Sequence, residues 1–281
     1  MIPQGPRNRS NWSRTWLFVP GDRPDRFGKA AGSGSDEVIC DLEDAVYPDR
    51  KPQARDEVAQ WLSHGGEAWV RINGFGTKWH QADLEALTAA AGLRGFVVPK
   101  AETPDDLTRL AREVGPREIV ALVETARGIY HAYELAQCQG VSRLAFGSID
   151  FALDIGAAES AGSMQLARST LVLASRVAGI AAPIDSVATA IHDVEVIAAE
   201  AQLARETGFG GKLCIHPAQV RPVADAFQPG ASDVQWAERV MAAAGQLAEG
   251  GVAVVDGRMI DKPLVARAIE ILAASRRLRA Q

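Results

Sequence analysis

Residues 119–150 read IVALVETARGIYHAYELAQCQGVSRLAFGSID. Two short apolar runs, 119–123 and 144–146, flank a stretch of helical composition. The first run stops against Glu124, and Asp150 closes the segment that follows the second. A strand ends where its apolar run ends, which predicts both carboxylates at carboxyl ends of strands. In a parallel α/β protein that is the face where ligands bind. Two carboxylates on one such face repel, and a hard divalent cation such as Mg2+ relieves the repulsion. Glu124 and Asp150 are therefore candidate metal ligands. The alternative is a pair of surface acids that fix loops or cap helices.

The same rhythm extends in both directions. Strand patterns occur at 16–20, 37–42, 68–72 and 95–99 before this stretch, and at 184–187 and 211–216 after it. Helical patterns separate them at 26–31, 54–62, 84–91, from Pro104, and at 130–137, 164–179 and 194–207. Strand and helix alternate eight times, which predicts a parallel sheet closed into a (β/α)8 TIM barrel over 14–230. A tail, 231–281, remains: a helix at 234–247, an extended segment at 250–260 turning at Asp256-Gly257, and a helix at 264–278. With the barrel already complete, this tail reads as a C-terminal lid, or an arm for oligomerisation.

The 281 residues are 47% hydrophobic and 23% charged, ample for a core, and the net charge of −5 offers no basic face for nucleic acid. No apolar run approaches a membrane span. Cys40, Cys138 and Cys214 are odd in number and fit no zinc spacing. Cys40 and Cys214 lie inside apolar runs and read as small buried hydrophobes. Reduced thiols and the lack of an export signal predict a cytoplasmic protein. Residues 1–13, polar and with two prolines, read as a loose arm.

Seven pieces fall in order along nearly the whole chain: R-x-x-L-F-V-P-G at 14–21, D-L-E-D-A-V at 41–46, V-R-I-N at 70–73, P-K-A-E at 99–102, L-V-E-T-A-R-G at 122–128, G-F-G-G-K-L-C-I-H-P-x-Q at 208–219 and D-G-R-M-I-D-K-P at 256–263. Together they resemble the citrate lyase β-subunit family, within the HpcH/HpaI-type aldolases. The resemblance implies a Mg2+-dependent (β/α)8 lyase that cleaves or forms a C–C bond in a β-hydroxyacyl thioester, with coenzyme A or an acyl carrier protein as the thiol. Malyl, citramalyl, methylmalyl and citryl thioesters are the substrates of such enzymes, and some hydrolyse malyl-CoA. It also implies a homotrimer or hexamer whose C-terminal segment reaches a neighbouring site.

By resemblance Glu124 and Asp150 are the metal ligands, Glu124 also lying against substrate. Arg71 is the substrate-binding and catalytic arginine, able to grip a carboxylate or a developing enolate oxygen; the alternative is an ion pair with Asp41 or Glu43. Asp41, Glu43 and Asp44 would orient Arg71 or metal-bound waters, or merely cap a helix. Asp261 would act as acid or base on the thioester α-carbon, or cap the helix that begins near Pro263. Arg23, Arg26 and Lys29 would contact the phosphates of coenzyme A, or form a solvated basic helix start. Lys100 and Lys212 are expected near strand ends, holding anions, and His216 at the barrel rim. One departure stands out: where relatives read G-A-E-D, this chain has Gly147-Ser148-Ile149-Asp150, which makes the rim less charged. Rival activities are a malyl-CoA-type thioesterase, a citrate lyase subunit working on an acyl-carrier-protein thioester, and an aldolase for free 2-keto acids.

Overall fold

Eight short strands pair in chain order, all parallel, and the first closes on the eighth to complete a barrel. They are β1 (Thr15–Pro20), β2 (Glu37–Asp41), β3 (Ala68–Arg71), β4 (Leu93–Val98), β5 (Glu118–Val123), β6 (Val141–Phe146), β7 (Ile184–Asp185) and β8 (Gly211–Cys214). The computed structural model describes residues 9–248 and 253–278. Among the described residues these strands are connected and followed by α-helices α1 (Pro24–Ala31), α2 (Lys51–Ser63), α3 (His80–Leu87), α4 (Pro104–Val114), α5 (Ala126–Tyr130), α6 (Ala132–Gln137), α7 (Ser148–Asp154), α8 (Ala161–Ala178), α9 (Val194–Glu206) and α10 (Pro217–Ala226). The chain divides into two units, 1–225 and 226–281.

Alternate strand residues point inward. Trp16, Ile39, Trp69, Val97, Val120, Leu122, Ala145, Ile184 and Leu213 make one apolar cluster. The intervening residues, such as Phe96, Val98, Ile119 and Ala121, are equally apolar and buried. A parallel sheet covered by helices must be apolar on both faces, which is why its strands read as continuous runs.

The floor of the barrel is polar. Arg143 is fully buried on β6. Its guanidinium donates to the carbonyl oxygens of Ser10 at 3.0 Å, Ser13 at 2.7 Å and Ala182 at 2.8 Å. Burial pulls its pKa down to about 9, against the pull of Glu37 and Asp36. Glu37 accepts from Ser13 Oγ at 2.8 Å and from Trp69 Nε1 at 3.1 Å. The 3-10 turn Arg9–Trp12 is thus tied to the floor; residues 1–8 of the expected arm lie outside the described residues. Arg143→Met should strand several buried carbonyls and lower stability by about 3 kcal/mol. Urea unfolding checks this, and an unchanged midpoint would mean that water satisfies those carbonyls.

Several boundaries depart from the sequence reading. β6 begins at Val141, not at 144, because a buried arginine with satisfied donors does not interrupt a strand. β7 is only Ile184–Asp185. The helix expected at 130–137 is two, broken at His131. Helix α7 was not foreseen, so Asp150 sits in its first turn rather than on a strand end. Lys212, expected to hold anions, is 1% exposed. It neighbours the inward Leu213, so its own side chain turns outward. There it pairs with Asp185 at 3.0 Å and Glu200 at 3.4 Å, while Arg168 pairs with Asp185 at 2.8 Å.

In the second unit, α11 (Ala231–Ala248) and α12 (Lys262–Leu278) accompany an antiparallel hairpin, β9 (Ala253–Val255) and β10 (Arg258–Ile260). Asp256 and Gly257 turn it with φ of 49° and 73°, the positive pair that two-residue hairpins favour. Ala237, Val240, Val255, Ile260 and Ala268 form its core. Residues 250–252 of the expected extended segment lie outside the described residues.

Candidate active site

Glu124 follows β5, where Val120 and Leu122 point inward, so the period of two turns its carboxylate into the barrel mouth. It is 2% exposed. The backbone N–H of Lys100 donates to Glu124 Oε1 at 2.8 Å. On the other side the carboxylate packs against Gly147, where a Cβ would overlap Glu124 Oε2. Burial pushes the Glu124 pKa up to about 7, and the charge of Asp150 adds to the rise. The N–H and ammonium of Lys100, together with Arg71, oppose it. The electrostatic reach of both Asp150 and Arg71 onto Glu124 brings the three side chains into one neighbourhood.

Arg71 ends β3 and lies over the Phe18 ring, 4.8 Å from its centroid. Its Nε donates to Asp41 Oδ1 at 2.7 Å and its Nη2 to Asp41 Oδ2 at 2.5 Å, a two-pronged pair. Nη1 stands 3.1 Å from Glu43 Oε2. The ion pair foreseen as an alternative is therefore present with both acids. A guanidinium has five N–H donors; Asp41 takes two and Glu43 faces a third, which leaves donors for a ligand. Asp41 also accepts the backbone N–H of Glu43 at 2.9 Å and of Ala45 at 3.2 Å, so it fixes the loop and the arginine together. Burial pushes the Asp41 pKa up, but Arg71 together with the backbone N–H groups of Glu43 and Ala45 outweighs it and holds it below the usual value.

Glu43 Oε1 accepts from Lys100 Nζ at 2.9 Å. Burial raises its pKa despite Arg71 and Lys100. Asp44 is mostly exposed, and its carboxylate lies 4.0 Å from Lys100 Nζ. A cleft of about 700 Å³ opens beyond Glu43 and Lys100, walled by Tyr47, Phe75, Trp79 and Thr103. Another, of about 510 Å³, lies at the amino end of the strands around Trp61, His64 and Arg94, away from the acid pair.

The remaining candidates have contacts of their own. Arg23 is turned onto Asp25, with Nε to Oδ1 at 3.1 Å, while Arg26 and Lys29 are exposed on α1. Asp261 precedes α12 and accepts the Leu264 N–H at 3.1 Å, so the helix-cap role is present. His216 lies beyond the end of β8; its Nδ1 accepts the Ala218 N–H at 3.1 Å and its ring meets His192 edge-on. Ile149 is 46% exposed beside Asp150. Sequence reading missed Gly147 and the backbone of Lys100; a glycine opening the loop after a strand, and a lysine after Pro99, were the available signals.

Among the described residues no group of three or more His, Cys, Asp or Glu is arranged to hold a metal. A pair is nevertheless what Mg2+ ordinarily takes, since it binds through one or two carboxylates and keeps its waters. A buried carboxyl whose ionisation is suppressed by burial and a second acid also fits: a cation there would offset both.

The acid pair at the carboxyl-end mouth, with a forked arginine beside it, defines the chain as a (β/α)8-barrel enzyme equipped for cation-assisted chemistry. It belongs to the HpcH/HpaI aldolase/citrate lyase family, whose model matches residues 14–217, and it is a carbon–carbon lyase. A citrate lyase subunit beta-like protein from Mycobacterium tuberculosis is 38% identical over 92% of this chain and 93% of its own length. A (3S)-malyl-CoA thioesterase from Cereibacter sphaeroides is 34% identical over 92% and 93%. The crystal structure of protein CitE from M. tuberculosis, in complex with magnesium, acetoacetate and coenzyme A, superposes with a TM-score of 0.83 at 35% identity, covering 95% of this chain and 99% of that one.

Proposed function

We propose that this protein is a Mg2+-dependent lyase that cleaves, or in reverse forms, the C–C bond of a β-hydroxyacyl-CoA thioester of malyl, citramalyl or citryl type, giving a keto acid and an acyl-CoA. The observation that carries the reading is the buried Glu124, its pKa raised to about 7, with Asp150 and Arg71 within electrostatic reach at one barrel mouth. The M. tuberculosis protein crystallised with magnesium, acetoacetate and coenzyme A supports the same chemistry.

Glu124 and Asp150 would hold the ion, which when bound supplies a Lewis acid for the oxygens of the hydroxy-acid end. The unused donors of Arg71 grip the substrate carboxylate or the developing enolate oxygen. Asp41 and Glu43 hold that guanidinium in place, and the more exposed Asp44 adds charge at the cleft edge. The β-hydroxyl gives its proton to water or a nearby carboxylate, the C–C bond breaks to a keto acid, and its electrons pass to the thioester as an enolate. Asp261 returns a proton to the enolate α-carbon. Arg23, Arg26 and Lys29 take the phosphates of coenzyme A, Arg23 leaving Asp25 to do so.

The working form is a cytoplasmic homo-oligomer, a trimer or hexamer, in which 231–281 serves as lid and contact arm. Leu166, Leu173 and Val177, on one face of α8, are 76%, 55% and 68% exposed, and Tyr130 on α5 is 79% exposed. Three free cysteines, two of them buried, suit a reducing compartment. Among the described residues no helix is long and apolar enough to cross a membrane.

The test is a Mg2+-dependence assay on malyl-, citramalyl-, methylmalyl- and citryl-CoA with products followed by mass spectrometry. A keto acid plus a shortened CoA ester, formed only with Mg2+, is the expected result. The thioesterase relative favours a second reading: free CoA with intact hydroxy acid would replace the lyase by a thioesterase. No turnover of any ester would turn the assignment to an acyl-carrier-protein complex or a free-acid aldolase.

A further inference from the structure

We propose that Lys100 is a positioning residue for the Glu124 carboxylate and that it acts through its backbone, by a left-handed turn, rather than through its charge. The inference rests on the reading of Glu124 as a metal ligand.

β4 ends at Val98. Pro99 has no N–H to offer, and the next backbone bond to β5 comes from Ala101, whose N–H reaches Leu122 O at 3.0 Å. Lys100 lies between with φ of 47°. Among the described residues the other non-glycine residue with positive φ is Asp256, which turns a hairpin. Lys100 turns no hairpin. A side-chain-bearing residue is disfavoured in this region, and such residues concentrate where the conformation does something. Here it removes one N–H from the ladder and aims it at Glu124 Oε1, 2.8 Å away.

The opposite flank of the carboxylate is set by Gly147, where any Cβ would meet Oε2. A donor on one oxygen and close backbone packing at the other leave the carboxylate little rotational freedom. The ammonium of Lys100 makes its hydrogen bond elsewhere, Nζ to Glu43 Oε1 at 2.9 Å, and reaches Glu124 only as a charge that favours its ionised form. One residue therefore serves two acids, by two different groups.

The separation makes the idea testable. Lys100→Gly and Lys100→Val both delete the ammonium, but glycine adopts positive φ freely and a β-branched residue does not. Mn2+ titration of the purified full chain without substrate, read by electron paramagnetic resonance, compares them. Lys100→Gly should bind Mn2+ within about threefold of wild type, and Lys100→Val about 10–100-fold more weakly, the usual loss when a group supporting a metal ligand is removed. Thermal melts verify that each variant is folded. Should Lys100→Val not fold, Lys100→Ala replaces it, expected about tenfold weaker than Lys100→Gly. Equal affinities for the glycine variant and its partner, whether both strong or both weak, would overturn the backbone role. Glu124→Gln in the same titration separates the two readings. Wild-type affinity in that variant, or no Mn2+ bound by the wild type, would sink the metal assignment and this inference with it.

Discussion

Glu124→Gln is expected to lower kcat/KM for the cleaved thioester by roughly 10³-fold, the rate equivalent of several kcal/mol of charge stabilisation supplied by a bound cation. The same variant should be the more stable protein at neutral pH when no metal is present. Burial has raised the Glu124 pKa from 4.5 to about 7. Between those values the folded chain holds a proton that the unfolded chain has released. Metal-free stability therefore falls as pH rises through this window, by on the order of 3 kcal/mol. Glutamine has no proton to lose and escapes the decline. Melting curves of metal-free wild type and Glu124→Gln at pH 5 and pH 8 test this: the two should nearly coincide at pH 5, with Glu124→Gln higher at pH 8. A lower melting temperature for Glu124→Gln at pH 8 would contradict the buried, reluctant carboxyl. The same proton competes with Mg2+, so Mn2+ affinity in the wild type should climb from pH 5 towards 7 and then level off.

Arg71→Met should damage both stability and activity. Asp41 and Glu43 are largely buried, and Arg71 is paired to both. Deleting the cation leaves uncompensated buried charge, at about 3–5 kcal/mol. Activity should fall by roughly 10²–10³-fold through the lost grip on substrate oxygen. The direction with pH follows from the acids. In the wild type, burial raises the Asp41 pKa, and Arg71 with the backbone N–H groups of Glu43 and Ala45 more than reverses it. The resulting stabilisation is present above the unfolded carboxylate value and lost as pH falls through the lower folded value. Without Arg71 burial is opposed only by the backbone N–H groups of Glu43 and Ala45 on Asp41 and by Lys100 on Glu43, so both pKa values rise. The deficit of Arg71→Met should then shrink on acidification, as the two carboxyls take up protons. Urea unfolding of both proteins at pH 7.5 and 5 measures it, and a deficit that does not change with pH would assign the loss to packing against Phe18 instead. Arg71→Lys keeps a charge but not the fork onto Asp41, and should recover stability more than activity.

Much of the barrel was readable because its signals are local. A short apolar run, a break and a helical period repeat along the barrel, and the chain pairs those runs in order. Glu124 was readable for the same reason, as the residue that stops an apolar run and continues its inward parity. Asp150 was identified as a residue but misplaced as an element, because the helix that carries it begins without a side-chain cap. Lys212 was misread through parity alone: one position along β8 separates the barrel interior from the helix layer. Arg143 was passed over because a charged residue inside an apolar run looks like a break until its partners are known, and one of them, Ser10, lies 133 positions away.

The sequence by itself determined the family, the closed eight-stranded architecture and the residue types available at the strand ends, since strand period and turn chemistry act between near neighbours in the chain. Only the tertiary structure decided which charges face one another. Asp41 meets Arg71 across 30 positions and Glu43 meets Lys100 across 57. The pKa of Glu124 and the turn at Lys100 belong to the same level. Burial and electrostatic pairing are properties of distance in space, and closure of the barrel creates those distances.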